Sequence, residues 1–253
     1  MKLLLLLATL AAGLIGGWML RPAKSEAAPE QSFEQRYPNL PKDAVARRAR
    51  SNAVMEAQGV PVNKWLPVIE SESQVKQRPA KQVLMRTIAT LAVAMKGEGV
   101  EQAEVDRIVR DHGLASALTS KEKAFIANPA PSDKDKVSFS WRYEAANTLL
   151  WSLGLVDDLG PPREQCDPGT LVALVRDNSR EQLLARVRLR PMPVILDEAD
   201  LIYRYRWALV DAEVNAKSPP AGLSNDVAME RHHALNWLIG YQDQAWDDIT
   251  LDT

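Results

Sequence analysis

The chain has one cysteine, Cys166, in 253 residues. No intrachain disulfide can form, and no cysteine cluster can hold zinc. A basic excess is also missing. The formal net charge is −2, and residues 1–27 hold three basic residues and one acidic, so the remainder carries 28 basic against 32 acidic. Nothing in that balance neutralises a phosphate backbone, which excludes nucleic acid as a partner class. There is no glycine-rich phosphate loop and no Gly-x-Ser-x-Gly elbow. Cys166 sits beside Glu164 and Asp167, where nearby negative charge disfavours a thiolate, so a catalytic Cys–His pair is not expected. No alternating apolar–polar run is long enough to insist on a strand, and no repeat recurs at a fixed period.

What is present begins with an apolar run from Leu3 to Leu20, flanked by Lys2 before it and Arg21 and Lys24 after it. As a helix it would span about 27 Å, close to the hydrocarbon thickness of a bilayer. Ser25-Glu26-Ala27 offers small residues at the −3 and −1 positions of a cleavage site. Residues 1–27 are therefore expected to be a signal peptide or a membrane anchor, placing the protein in the cell envelope, anchored or exported. Positive charge on both flanks sets orientation only weakly, so a cytoplasm-facing anchor is the alternative to the export that a signal-like N-terminus favours. Gly13 and Gly17 form a small-xxx-small pair through which two anchors could associate as a homodimer. Residues 28–42, rich in Pro, Glu and Gln, read as a tether.

From residue 43 onward helical signals dominate. Asp43 reads as the N-cap of a helix ending at Gln58, before Gly59 and Pro61. Pro79 opens a largely apolar helix to Met95, with Gly97 just past its end. Shorter helices are expected over 101–111 and 121–127, followed by a polar loop over 128–136. Ser140 reads as the cap of a helix over 141–153, and two short helices are expected near 170–175 and 180–187. Pro191 and Pro193 close that region before two long final helices. The expected fold is one all-α domain over 43–253.

Those final helices carry charge inside nearly continuous apolar sequence. Asp197, Asp200, Arg204, Asp211 and Asn215 fall on one stripe at 100° per residue. Asp200 and Arg204 stand at ion-pair spacing. Asp226, Glu230, His233 and Trp237 form a similar stripe on the last helix, whereas His232 points about 100° away, beside Met229 and Asn236. If the stripes face each other they enclose a polar pocket, with Arg86 and Glu144 as further members from mid-helix apolar surroundings. Glu230 and His233, in a Glu-x-x-His spacing, together with Asp197 and Asp200, could ligate divalent zinc, manganese or non-haem iron. A bundle-type di-iron site would need a second Glu-x-x-His, and none exists. The other reading is structural: Arg86, Arg142 and Arg204 neutralise buried carboxylates and fix helix register. The acidic tail, with Asp243, Asp247, Asp248 and Asp252 around Trp246, is expected to fold back on Arg186, Arg188 and Arg190, with Trp246 as an apolar latch.

Several blocks resemble an uncharacterised bacterial family, domain of unknown function 4272. They are Gly59-Val60-Pro61 with Leu66-Pro67, Ser140 to Ala145, Leu150 to Gly154, and Leu189-Arg190-Pro191. Ile195 to Arg204 with Trp207-Ala208, Glu230-Arg231-His232 with Ala234 to Leu238, Trp246-Asp247-Asp248 and Asp252-Thr253 complete the set. The resemblance runs from about Arg47 to Thr253 and implies a helical fold, with no activity to carry over. The leading expectation is a non-enzymatic binding or interaction module with a polar pocket between its last two helices, taking a protein or small ligand and no cofactor. The alternatives are a metal-dependent hydrolase using Glu230, His233, Asp197 and Asp200, and a purely structural envelope component.

Overall fold

Capping chemistry sets most of the helix starts. In the computed structural model, which describes residues 31–253, Ser32 caps α1 (Phe33–Arg36) and Thr119 caps α5 (Ser120–Ala127). Ser179 caps α9 (Arg180–Arg186), and each of these three is a reciprocal capping box with Gln35, Glu122 or Gln182. Ser132 caps α6 (Asp133–Ser140), Asp167 caps α8 (Pro168–Arg176), and Ser224 caps α11 (Asn225–Ile239). The remaining helices are α2 (Lys42–Ala57), α3 (Ala80–Glu98), α4 (Gln102–Asp111), α7 (Arg142–Ser152) and α10 (Met192–Val214). No strand occurs among the described residues, and the fold is an all-α single domain. The expected signal or anchor over 1–27, with Gly13 and Gly17, lies outside the described residues.

Several boundaries differ from expectation for identifiable reasons. Pro41 rather than Asp43 precedes α2, because the Asp43 carboxylate is taken by Arg47 and by the Glu72 backbone N–H. Asp133–Ser140 is a helix, not a loop: Ser132 accepts from the Asp135 N–H and supplies the start that the polar composition concealed. Ser140 ends that helix instead of capping the next. Pro191 and Pro193 begin α10, where the first turn has no use for their missing N–H groups. Gly97 lies inside α3, and the left-handed residue that ends the helix is Gly99. Within the stretch 28–42 expected as a tether, Phe33–Arg36 is a short helix and Phe33 is buried beneath the Arg48 guanidinium, 3.6 Å from the ring centroid.

The helices pack in a row in which α2 lies on α10, α10 on α11, α11 on α7, α7 on α3, and α3 on α6 and α4. The middle members bury most of their circumference, as their apolar sequence requires. Between α2 and α3, residues 58–79 run without a regular helix. Where such a loop turns inward, as at Leu66 and Ser71, its carbonyls need donors, and arginines supply them. Arg47 donates to Glu70 O at 2.8 Å, Arg48 to Lys64 O and Leu66 O, and Arg204 to Pro67 O at 3.0 Å. After α11 the chain turns at Gly240 and folds back across the α11 face.

Candidate functional site

The charged residues of the final helices are distributed among separate pairs, not gathered in one pocket. Arg204 donates to both oxygens of Asp200, Nε at 2.8 Å and Nη2 at 2.9 Å, with both side chains buried. Asp197 turns the other way, half-exposed, to Arg50 and to Arg47 at 3.6 Å on α2. Glu230 pairs with Arg142 of α7 at 3.1 Å. Burial pushes the Glu230 carboxyl above its ordinary value, and Arg142 opposes that shift. Arg86 grips Glu122 through Nη2 at 2.6 and 2.7 Å, and its other donors reach Thr90 and the Ala117 carbonyl. Glu144 accepts from the Cys166 N–H and lies 3.6 Å from Arg231. Among the described residues no group of three or more His, Cys, Asp and Glu side chains is placed to hold a metal ion. The set Glu230, His233, Asp197 and Asp200 is not assembled, because each carboxylate already faces its own arginine.

His233 and Trp237 belong to a different construction. The His233 Nε2–H donates to the Trp246 carbonyl at 2.9 Å, and the two rings meet edge to face at 4.5 Å. Trp237 meets the same indole at 5.4 Å, and Arg86 and Arg142 stand over it at 4.8 and 5.8 Å. Trp246 is thus the latch of the tail, but its seat is not the expected basic segment. Arg190 donates to the Trp151, Val156 and Asp157 carbonyls, Arg188 to those of Ala185 and Val187, and Arg186 to Asn178. Carbonyls left open by turns beyond α7 and α9 claim those donors before the tail could.

An open cleft of about 520 Å³ does lie against the last two helices. Tyr203 of α10 and His232 and Asn236 of α11 form its floor. The arginine-held loop contributes Pro67 to Glu70 and Gln74, and the returning tail contributes Tyr241, Asp252 and Thr253. Asn236 donates to Thr250 O at 3.0 Å and pins the tail at the rim. His232 is 2% exposed, and its Nδ1 has no hydrogen-bond partner among the described residues. Burial first, then Arg206, holds its pKa down at about 3, so it is a neutral imidazole at pH 7. The sequence reading selected His233 because it shared a stripe with Glu230; the neighbouring stripe, His232 with Asn236 four residues on, is the one that faces open space. The polar stripe seals the molecule and the less charged one lines the cleft.

The model of the family described as Domain of unknown function (DUF4272) matches residues 47–249. The chain belongs to that family. No curated protein and no solved structure matches it. The matched span takes in every helix from within α2 to the Trp246 latch, so the family's shared unit includes the floor of the cleft and Tyr241 of its tail wall, whereas Asp252 and Thr253 lie beyond it. Among the described residues no helix is long and apolar enough to cross a membrane.

Proposed function

We propose that the protein is a non-enzymatic binding module whose site is the cleft over α10 and α11. The observation that carries this reading is the cleft itself: about 520 Å³, within the range of small-ligand sites, floored by a buried histidine with an unpartnered ring nitrogen. The chemistry of the neighbouring groups favours binding over catalysis. A general base works best with a pKa near the working pH, and burial holds both His232 and His233 at about 3. Burial also pushes the Cys166 thiol far up, which removes it as a nucleophile. Glu230, Asp200, Glu122 and Asp197 are engaged by arginines. The apolar run over 3–20 would deliver or anchor this module at the cell envelope, and fractionation of the native host tests that: an intact protein starting at Met1 and recovered in the cytosol refutes it.

The binding reading is tested by a ligand-observed NMR screen against a mixed set of cationic, anionic and neutral small molecules. Binders should appear, and Val68→Trp, which fills a half-buried lining position, should abolish them while the fold melts normally. A screen without binders, or binders indifferent to Val68→Trp, overturns the assignment.

A further inference from the structure

Resting on the reading of the cleft as a binding site, we infer that its ligand is a small organic cation, whose ammonium group lies between Tyr203 and Tyr241 with Glu70 and Asp252 as counter-charges. Four features of the lining support this. The first is sign: the lining contains two carboxylates and no lysine or arginine. Of the positive groups around it, Arg204 is cancelled by Asp200, and Arg47 gives Glu70 only a bond to its carbonyl while pairing with Asp43 and Asp197. Arg206, which donates to the neutral Asn225 amide, stays outside the lining, and its charge reaches the floor at His232.

The second feature is the geometry of Asp252. Tyr241 and Thr250 hydroxyls both donate to its Oδ2, each at 2.9 Å, so the carboxylate is fixed in place while Oδ1 has no intramolecular donor among the described residues. The third is aromatic surface. Tyr203 on the floor and Tyr241 on the tail wall both line the cleft, and the negative face of a phenol attracts a cation that its edge would repel. The Tyr203 ring also tilts against His232 at 6.2 Å, which fixes both rings. The fourth is His232 itself. As a neutral, buried imidazole it adds no positive charge to repel a cation. An anion entering the same space would meet two carboxylates and no cationic side chain in the lining, and a purely apolar ligand would take water from those carboxylates without replacing it by a counter-charge.

The test is isothermal titration of the full-length protein with choline, 1-aminohexane and Nα-acetyl-lysine amide. The neutral isostere 3,3-dimethylbutan-1-ol and the anion glycerol 3-phosphate serve as controls. The first two probes report a free cation, and the third reports a cation borne on a polypeptide. At least one cation should bind, about tenfold or more above the neutral isostere. Glu70→Gln and Asp252→Asn, which keep shape and remove charge, should each weaken it several-fold, and 0.5 M salt should act in the same direction. A neutral isostere that binds as well, or an anion that binds better, overturns the cation assignment and leaves the cleft a binding site. If no probe of any charge binds, the cation assignment and the binding reading both fail.

Discussion

Arg204 has two partners that pull on it from different directions: the Asp200 carboxylate one helical turn earlier, and the Pro67 carbonyl on the loop that walls the cleft. Removing the guanidinium leaves a fully buried carboxylate unpaired and frees the loop at one of its three grips. Arg204→Ala is therefore expected to cost about 3–5 kcal/mol. Replacing both members of the pair by apolar residues, Arg204→Met with Asp200→Leu, should recover much of that loss, since the ions need each other more than the core needs ions. Urea denaturation of the single and double variants decides it; a single variant as stable as the parent means the pair is not buried in solution. Gly97 provides a second residue-scale test with an unusual sign. Alanine inside a helix normally stabilises relative to glycine by about 0.5–1 kcal/mol. At Gly97 an added Cβ would lie 2.6 Å from Ser140 N and 2.8 Å from Lys136 O, backbone atoms of α6 that cannot swing aside. Gly97→Ala should destabilise by roughly 1–3 kcal/mol, and a rise in the denaturation midpoint would show that α3 and α6 do not approach so closely.

Among the elements, the tail after α11 is the one held chiefly by one large side chain, Trp246, with the Asn236 bond to Thr250 as a second hold. Trp246 is wedged among Arg86, Arg142, His233 and Trp237, while Asp252 and Thr253 follow it to the cleft rim. Trp246→Ala should cost about 3–5 kcal/mol and admit water to His233, whose pKa should climb from about 3 toward its ordinary 6.5. NMR titration of the His233 ring resonances reads this directly, and a ring that stays neutral to pH 4 in the variant means the tail is held by other contacts. How much of this was legible depended on the range of the interaction. Asp200 with Arg204 is a contact within one helix, so spacing sufficed to read it. The partner of Glu230 is Arg142, 88 residues away, and that of Arg86 is Glu122, 36 residues away across the fold. No periodicity encodes which helices become neighbours. The all-α class could be read because caps, prolines and glycines punctuate the chain locally. The cleft could not, because its walls are a loop without periodicity and a tail whose path is set by contacts of Trp246 and Asn236 that no spacing encodes.

Across the whole molecule, buried and half-buried titratable groups make stability a function of pH, and they do not all push the same way. Burial, reinforced by Arg206 at His232 and by Arg142 and Arg86 at His233, lowers both imidazoles to about 3. The unfolded chain takes up protons at both histidines below about 6.5, whereas the folded chain does not. Their contribution is therefore complete above 6.5 and is lost as pH falls toward 3, at up to about 1.4 kcal/mol per pH unit for each histidine. Glu198 works in the opposite sense. Burial raises its carboxyl to about 7, with Arg231 opposing and Asp158 reinforcing the shift. Its contribution is present below its ordinary value near 4.5 and lost as pH rises through 7, so acidification from 7 to 4.5 restores stability there. In that window Glu198 offsets one of the two histidines, and Glu230, also raised by burial, adds to the offset, so the parent should lose stability with a slope of about one proton or less. Glu198→Gln removes its share of the offset and should steepen the loss between pH 6.5 and 4.5 by about one proton, while His232→Gln should lessen it by about as much. Denaturant midpoints of the three proteins at pH 7.5, 6.5, 5.5 and 4.5 measure the slopes. Three parallel curves would mean that water reaches these groups in the folded state, and with it that His232 is not the dry floor of the cleft.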